Sequence, residues 1–254
     1  MKHLIALQTI LFKEVLRFVR IWPQTLLPPA VTTSLYFLIF GRLMGARIGE
    51  MGGISYIAYI VPGVILMSVI TNAYSNVVSS FYSTKFQRHI EELLIAPVPN
   101  WVILTGYVGG GVTRGLMVGA VVALISHFFS PQAWVHPWIV CLVCILTAMV
   151  FSLAGFLNAL FANSFDDISI IPNFVLTPLV YLGGVFYSVS LLPEPWRSLS
   201  LGNPILYMVN AFRYGMLGIS DVDIMRSFAI IGAFILTLGG ASLILLHKGI
   251  GLKN

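Results

Sequence analysis

Charge is what this chain has least of. Asp, Glu, Lys and Arg make up 9% of its 254 residues, against about 25% in an ordinary soluble domain. So few charges do not coat a soluble globule of this size. Hydrophobic residues supply 58% of the chain, and the mean hydropathy is +0.93. The composition reads as an integral membrane protein and excludes a soluble enzyme, a nucleic-acid binder and a disordered polymer. Cysteine is nearly absent. Cys141 and Cys144 share one apolar run, and their C-x-x-C spacing lacks the βαβ setting of a redox motif; both are read as buried small side chains.

Catalytic signatures are missing too. The sequence has no H-E-x-x-H, no G-x-S-x-G and no G-x-x-x-x-G-K-[ST] phosphate loop. Gly109-Gly110-Gly111 stands outside any strand-turn-helix context, and His127 and His136 form no metal-ligand set. No catalytic residue, cofactor or metal is expected in this chain. The apolar stretches also lack carboxylates, which argues against a proton relay, and no inverted repeat is evident. If nucleotide hydrolysis powers the protein, another chain performs it.

What is present is six apolar stretches, at about 26–44, 56–80, 101–127, 137–161, 168–188 and 228–246. A spanning helix uses about 20 residues, so an all-α protein of six transmembrane helices is expected, one domain over 1–254. Residues 1–22 differ. Leu4, Leu7, Leu11, Val15, Phe18 and Trp22 repeat on one helical face, with Lys13, Arg17 and Arg20 on another. That pattern predicts an amphipathic helix in the membrane interface, basic face toward anionic headgroups. Segment 189–227 is rich in proline and glycine; its apolar piece Ile205–Leu217 contains Asn210 and Arg213 and is too short to span. A re-entrant outer hairpin over 189–220, broken at Asn203-Pro204, satisfies the rule that irregular backbone at membrane depth must be covered or face water.

With both termini cytoplasmic, eight cations lie inside (Lys2, Lys13, Arg17, Arg20, Lys85, Arg88, Lys248, Lys253) and five outside (Arg42, Arg47, Arg197, Arg213, Arg226), in line with the positive-inside rule. Arg114 is left within a span, where a central arginine costs about 2.5–3.5 kcal/mol on insertion scales.

Several polar features carry candidate roles. The turn 84–97 predicts a short cytoplasmic helix with Phe86, Ile90, Leu93 and Leu94 on one face and Arg88, Glu91 and Glu92 displaced from it, ending before Pro97. Such a helix suits either a docking surface or a plain solvated connection. The second span carries Ser68, Asn72, Ser75 and Ser79 as a stripe, readable as the lining of a route or as bonds between helices. Gly111, Gly115 and Gly119 permit close helix packing. Ser164-x-x-Asp167 reads as a helix cap, and Pro172 and Pro178 predict kinks.

The order of these segments resembles the membrane subunits of ABC-2 type (type V fold) ATP-binding cassette exporters. The resemblance rests on Glu92-Leu93-Leu94-Ile95-Ala96-Pro97 after the second span, and on Leu201-Gly-Asn203-Pro204-x-x-Tyr207-x-x-Asn210-x-Phe-Arg213 before the sixth. It implies a homodimer in a bacterial inner membrane, clamped on two copies of a cytoplasmic ATPase that holds the ATP and Mg. It implies that Phe86, Arg88, Glu91, Glu92, Leu93 and Leu94 form the coupling helix. Ser68, Asn72, Ser75 and Ser79 then line the translocation route, and Asn203, Pro204, Tyr207, Asn210 and Arg213 form an outer gate. The expected partners are that ATPase, a second copy and membrane lipid, with no nucleic acid. The expected function is export of an amphiphilic, lipid-like or glycan substrate. The rival reading is a scaffold that passes ATPase-driven force to a partner without moving cargo.

Overall fold

The structure, a computed structural model, describes residues 2–252. Lys253, counted above among the cytoplasmic cations, lies outside the described residues, as do the side chains of Arg42 and Leu94. The chain is helical almost throughout.

Helix α1 (Lys2–Arg20) turns at Ile21 into α2 (Trp22–Ile48), whose Pro23 sits in the first turn, where the missing N–H costs no helix bond. Pro28 and Pro29 lie further inside, and the stretch Phe37–Met44 widens to π-helical bonding. A minimal hairpin follows, β1 (Glu50–Met51) and β2 (Ile54–Ser55), with Glu50 opposite Ser55. Gly52 and Gly53 make its two-residue turn with φ of 62° and 76°, the positive pair that such a turn requires.

The core is built on α3 (Tyr56–Phe86), which packs against α5 (Asn100–Phe129) and α6 (Pro137–Phe161). Between α3 and α5 runs α4 (His89–Ile95). Glycine lets these helices approach. A Cβ at Gly115 would stand 3.0 Å from the Ala73 Cβ, and one at Gly155 of α6 would stand 2.6 Å from the Tyr74 carbonyl oxygen of α3. Phe81 meets Phe156 at 4.2 Å between ring centroids and Tyr107 edge-on at 5.1 Å. Helix α1 lies along α5.

The fifth apolar stretch forms α7 (Asp167–Tyr181), which falls short of a span. It is three five-residue pieces, α-helical, π-helical and α-helical, that change at Pro172 and Thr177-Pro178. Its rise is about 22 Å, against a hydrocarbon core of about 30 Å. Expected as 168–188, it stops at Tyr181 because the chain turns through Gly183 and Gly184, the latter at φ 70°. Among the described residues, five helices are long and apolar enough to cross a membrane: α2, α3, α5, α6 and α10 (Ile224–Lys248). Before α10, α8 (Trp196–Leu201) and α9 (Pro204–Leu217) meet at Asn203-Pro204, and α9 packs against α3, α6 and α10.

One expectation about α6 fails. Cys141 is exposed and Cys144 half-buried, both as free thiols, because the inward face of this turn belongs to Val140 and Val143.

Candidate functional site

The elbow between α3 and α4 is set by one residue. At the end of α3, Arg88 adopts the left-handed conformation, φ 61°, which is rare for a residue with a side chain. It swings α4 away from the α3 axis. Phe86 and Ile90, expected on one face, therefore part: Ile90 is buried, while Phe86 stays exposed on α3 and lies edge-on to Phe165 at 5.1 Å. Leu93 packs on the core. Arg88, Glu91 and Glu92 point outward, and Ile95 is 85% exposed.

Lys85 is no free cytoplasmic cation. It is buried, and its Nζ donates to the carbonyls of Leu160 (2.9 Å) and Ala162 (2.8 Å) at the end of α6. A cation at a helix C-terminus satisfies orphan carbonyls and the local dipole, so Lys85 ties the elbow to α6. Beyond it, Ser164 and Asp167 close a reciprocal cap. Asp167 accepts from the N–H groups of Asn163 (2.9 Å) and Ser164 (3.1 Å), and the Asp167 N–H donates to Ser164 Oγ (3.1 Å). The Asn163 N–H first, then Ser164, holds the Asp167 carboxyl below its ordinary range.

A second junction ties α1 to α3. Glu14 is fully buried and accepts a 2.7 Å hydrogen bond from Ser80 Oγ. Arg17 pairs with Glu14 at 3.3 Å and donates to the Asn76 side-chain oxygen at 2.8 Å and to its carbonyl at 3.0 Å. Gly110 of α5 makes room, since a Cβ there would stand 2.5 Å from the Glu14 Cβ. Arg17, expected to face lipid headgroups, is turned inward instead, because Glu14 and Asn76 offer it three oxygens. Leu4 and Trp22, at the two ends of the expected apolar face, are exposed.

The Ser68, Asn72, Ser75 and Ser79 stripe does not bond neighbouring helices. Ser68, Asn72 and Ser79 each donate to the backbone carbonyl four residues earlier on α3 itself. Ser68, Asn72 and Ser75 line a cavity of about 320 Å³ between α2, α3 and α5, with Arg114 at its wall; Ser79 lies outside it.

At the opposite end, Asn203 caps α9 by accepting from the Ile205 N–H (3.0 Å), and its amide donates to the Leu179 carbonyl (2.6 Å). Pro204 takes the first helical position. Tyr207 donates to the Leu201 carbonyl (2.8 Å), which joins α8 to α9. Arg213 is 1% exposed. Its guanidinium lies 4.0 Å from the Tyr59 ring centroid and donates to the Gly184 carbonyl. Asn210 accepts from the Asp221 N–H (2.9 Å), and Asp221 in turn accepts from Tyr59 Oη (3.3 Å) and the Val189 N–H (3.1 Å). The expected gate residues thus hold α8, α9 and the following turn as one unit.

The sequence profile of ABC-2 type transporters matches residues 5–217, a range that contains both junctions, the elbow and the α8–α9 pair. This chain belongs to the ABC-2 type transporter family. It is 58% identical over 257 residues to the inner membrane transport permease YadH of Escherichia coli (strain K12), covering 100% of both chains. It is 25% identical over 191 residues to nodulation protein J of Rhizobium leguminosarum bv. trifolii, covering 75% of this chain and 73% of that protein. Nodulation protein J of Neorhizobium galegae is 22% identical over 213 residues, covering 84% and 81%. As an ABC-2 permease the chain is a multi-pass inner-membrane transport subunit rather than an enzyme, of a family that pairs with an ABC ATPase subunit.

The sequence assigns no site role to Glu14 or Tyr59, and Asn76 stands out there only as a neighbour of the stripe. A signal for Glu14 was present: with Leu7, Ile10 and Phe18 it repeats at three- and four-residue steps, which puts a carboxylate on an apolar face.

Proposed function

We propose that this permease is the membrane subunit of a homodimeric ATP-driven exporter of an amphiphilic, lipid-like or glycan substrate, with both termini cytoplasmic. The observation that carries the reading is the form of α4. It is short, hung from α3 by the single left-handed residue Arg88, anchored through Ile90, and outward-facing through Glu91 and Glu92. A lever needs one face fixed to the moving helix and one free for the partner. Arg88, Glu91 and Glu92 supply that free face, with Phe86, Leu93 and Leu94 completing the coupling segment. Lys85 and the Glu14–Ser80 bond transmit motion of the elbow to α6 and α1.

In this reading α7 serves as the fifth of six crossings, shortened by its π-helical stretch and completed by the turn after Tyr181. Ser68, Asn72 and Ser75 line the route. Asn203, Pro204, Tyr207, Asn210 and Arg213 hold the re-entrant outer gate.

The test is co-purification from native membranes. Two copies of the permease with two copies of an ABC ATPase are expected; a permease recovered alone, under conditions that preserve other ABC assemblies, would contradict the reading.

A further inference from the structure

Arg114 stands midway along α5 and has no counter-charge among the described residues. Among the described residues, the one ion pair within 4.0 Å is Arg17 with Glu14, and the Arg114 guanidinium makes no hydrogen bond to any described group. Its Nε is closed off from solvent without a partner. Its charged neighbour is Arg17, a second cation already held by Glu14 and Asn76. An arginine at this depth needs an acceptor, and no described residue supplies one.

The guanidinium borders the α2–α3–α5 cavity, whose volume of about 320 Å³ lies in the range of small-molecule sites. The opposite wall is polar. Asn72 spends one amide proton on the Ser68 carbonyl and keeps a second. Ser68 and Thr71 spend their hydroxyl protons on their own helix and so offer lone pairs rather than donors. The wall therefore gives an anion two fixed donors, Arg114 and Asn72, and gives a ligand hydroxyl two acceptors. Leu27, Val31 and Leu35, also on α2, are exposed and apolar.

We infer that this cavity binds the oxyanion headgroup of a membrane amphiphile, with Arg114 as the charged anchor, Asn72 as second donor, and Ser68 and Thr71 receiving hydroxyls of the same headgroup. The inference rests on the export reading for its meaning, since it names the substrate class of that route. Binding itself is measured without any ATPase, so the two fail separately.

The experiment uses the full chain with Ser75→Cys at the cavity wall, on a Cys141→Ala, Cys144→Ala background. The protein is held in phosphatidylcholine nanodiscs with or without phosphatidic acid of the same acyl chains, or with inorganic phosphate alone. Maleimide labelling of the new thiol should slow about tenfold with phosphatidic acid at about ten times its half-saturating fraction. It should be unaffected by inorganic phosphate. Arg114→Gln should abolish the slowing and Arg114→Lys retain part of it. Should Arg114→Gln fail to fold, Asn72→Leu is expected to weaken the protection. Undiminished protection in either Arg114→Gln or Asn72→Leu, or none in the starting protein, overturns the site. Equal protection by inorganic phosphate overturns the amphiphile as its source.

Discussion

Ser80 on α3 donates a 2.7 Å hydrogen bond to Glu14 on α1, and both side chains are buried. An amphipathic helix that only floated in the interface would have no reason to bury a carboxylate. This bond, with Arg17 reaching Asn76, makes α1 part of the packed protein.

Glu14→Ala is therefore expected to destabilise by about 2–3 kcal/mol, because it strands the Ser80 hydroxyl and leaves Arg17 with one partner fewer. Glu14→Gln keeps an acceptor for Ser80 and should lose less than half of that. Thermal unfolding in detergent separates the two; equal losses would contradict the bond.

Gly155→Ala should cost about 1–3 kcal/mol, since the new methyl would stand 2.6 Å from the Tyr74 carbonyl oxygen and rigid backbone must yield. Gly240→Ala on α10 meets nothing within 4 Å, so its midpoint should hold or rise. Parallel melts of the two variants check the α3–α6 packing.

Much of this was legible in advance, and the exceptions share a cause. Long apolar stretches gave the helices, Ser164 and Asp167 the cap, and Asn203-Pro204 the break between α8 and α9. Those signals are local. Arg88 misled because helical periodicity assumes right-handed backbone, and one left-handed residue separates Phe86 from Ile90. Lys85 and Arg17 misled because a charge count takes cations as free, whereas their partners, Leu160 and Asn76, lie 75 and 59 residues away. Burial of a charge is decided by such distant acceptors.

At the α8–α9 end, Arg213→Ala should lower stability by about 2–4 kcal/mol, through the void left and the Gly184 carbonyl left unpaired. Arg213→Lys should not restore it, because an ammonium cannot both stack on Tyr59 and reach Gly184 as the planar guanidinium does. Protease cleavage between Tyr187 and Ser200 reports the loosening; equal resistance of Arg213→Ala and the parent would argue against that anchoring.

The Asp167 cap carries a pH signature. Its carboxyl is held below the ordinary range in the folded protein, so its contribution is complete above the unfolded value of about 3.9 and is lost as pH falls through the lower folded value. Between about pH 5 and 2 the midpoint should fall more steeply in the parent than in Asp167→Asn. Parallel curves would remove the cap from the account.

The proposed role of α4 is to transmit the ATPase stroke. Its most direct test is simultaneous measurement of ATP turnover and substrate flux in proteoliposomes containing the permease with its co-purified ATPase, comparing the parent with Glu91→Lys, Glu92→Lys. The parent should couple the two, and the double reversal should break the link, with turnover no longer stimulated and flux lost while the permease stays folded. Coupled flux at the parental rate in the double reversal would contradict it, and ATP turnover without flux of any amphiphile in the parent would favour the force-transmitting scaffold.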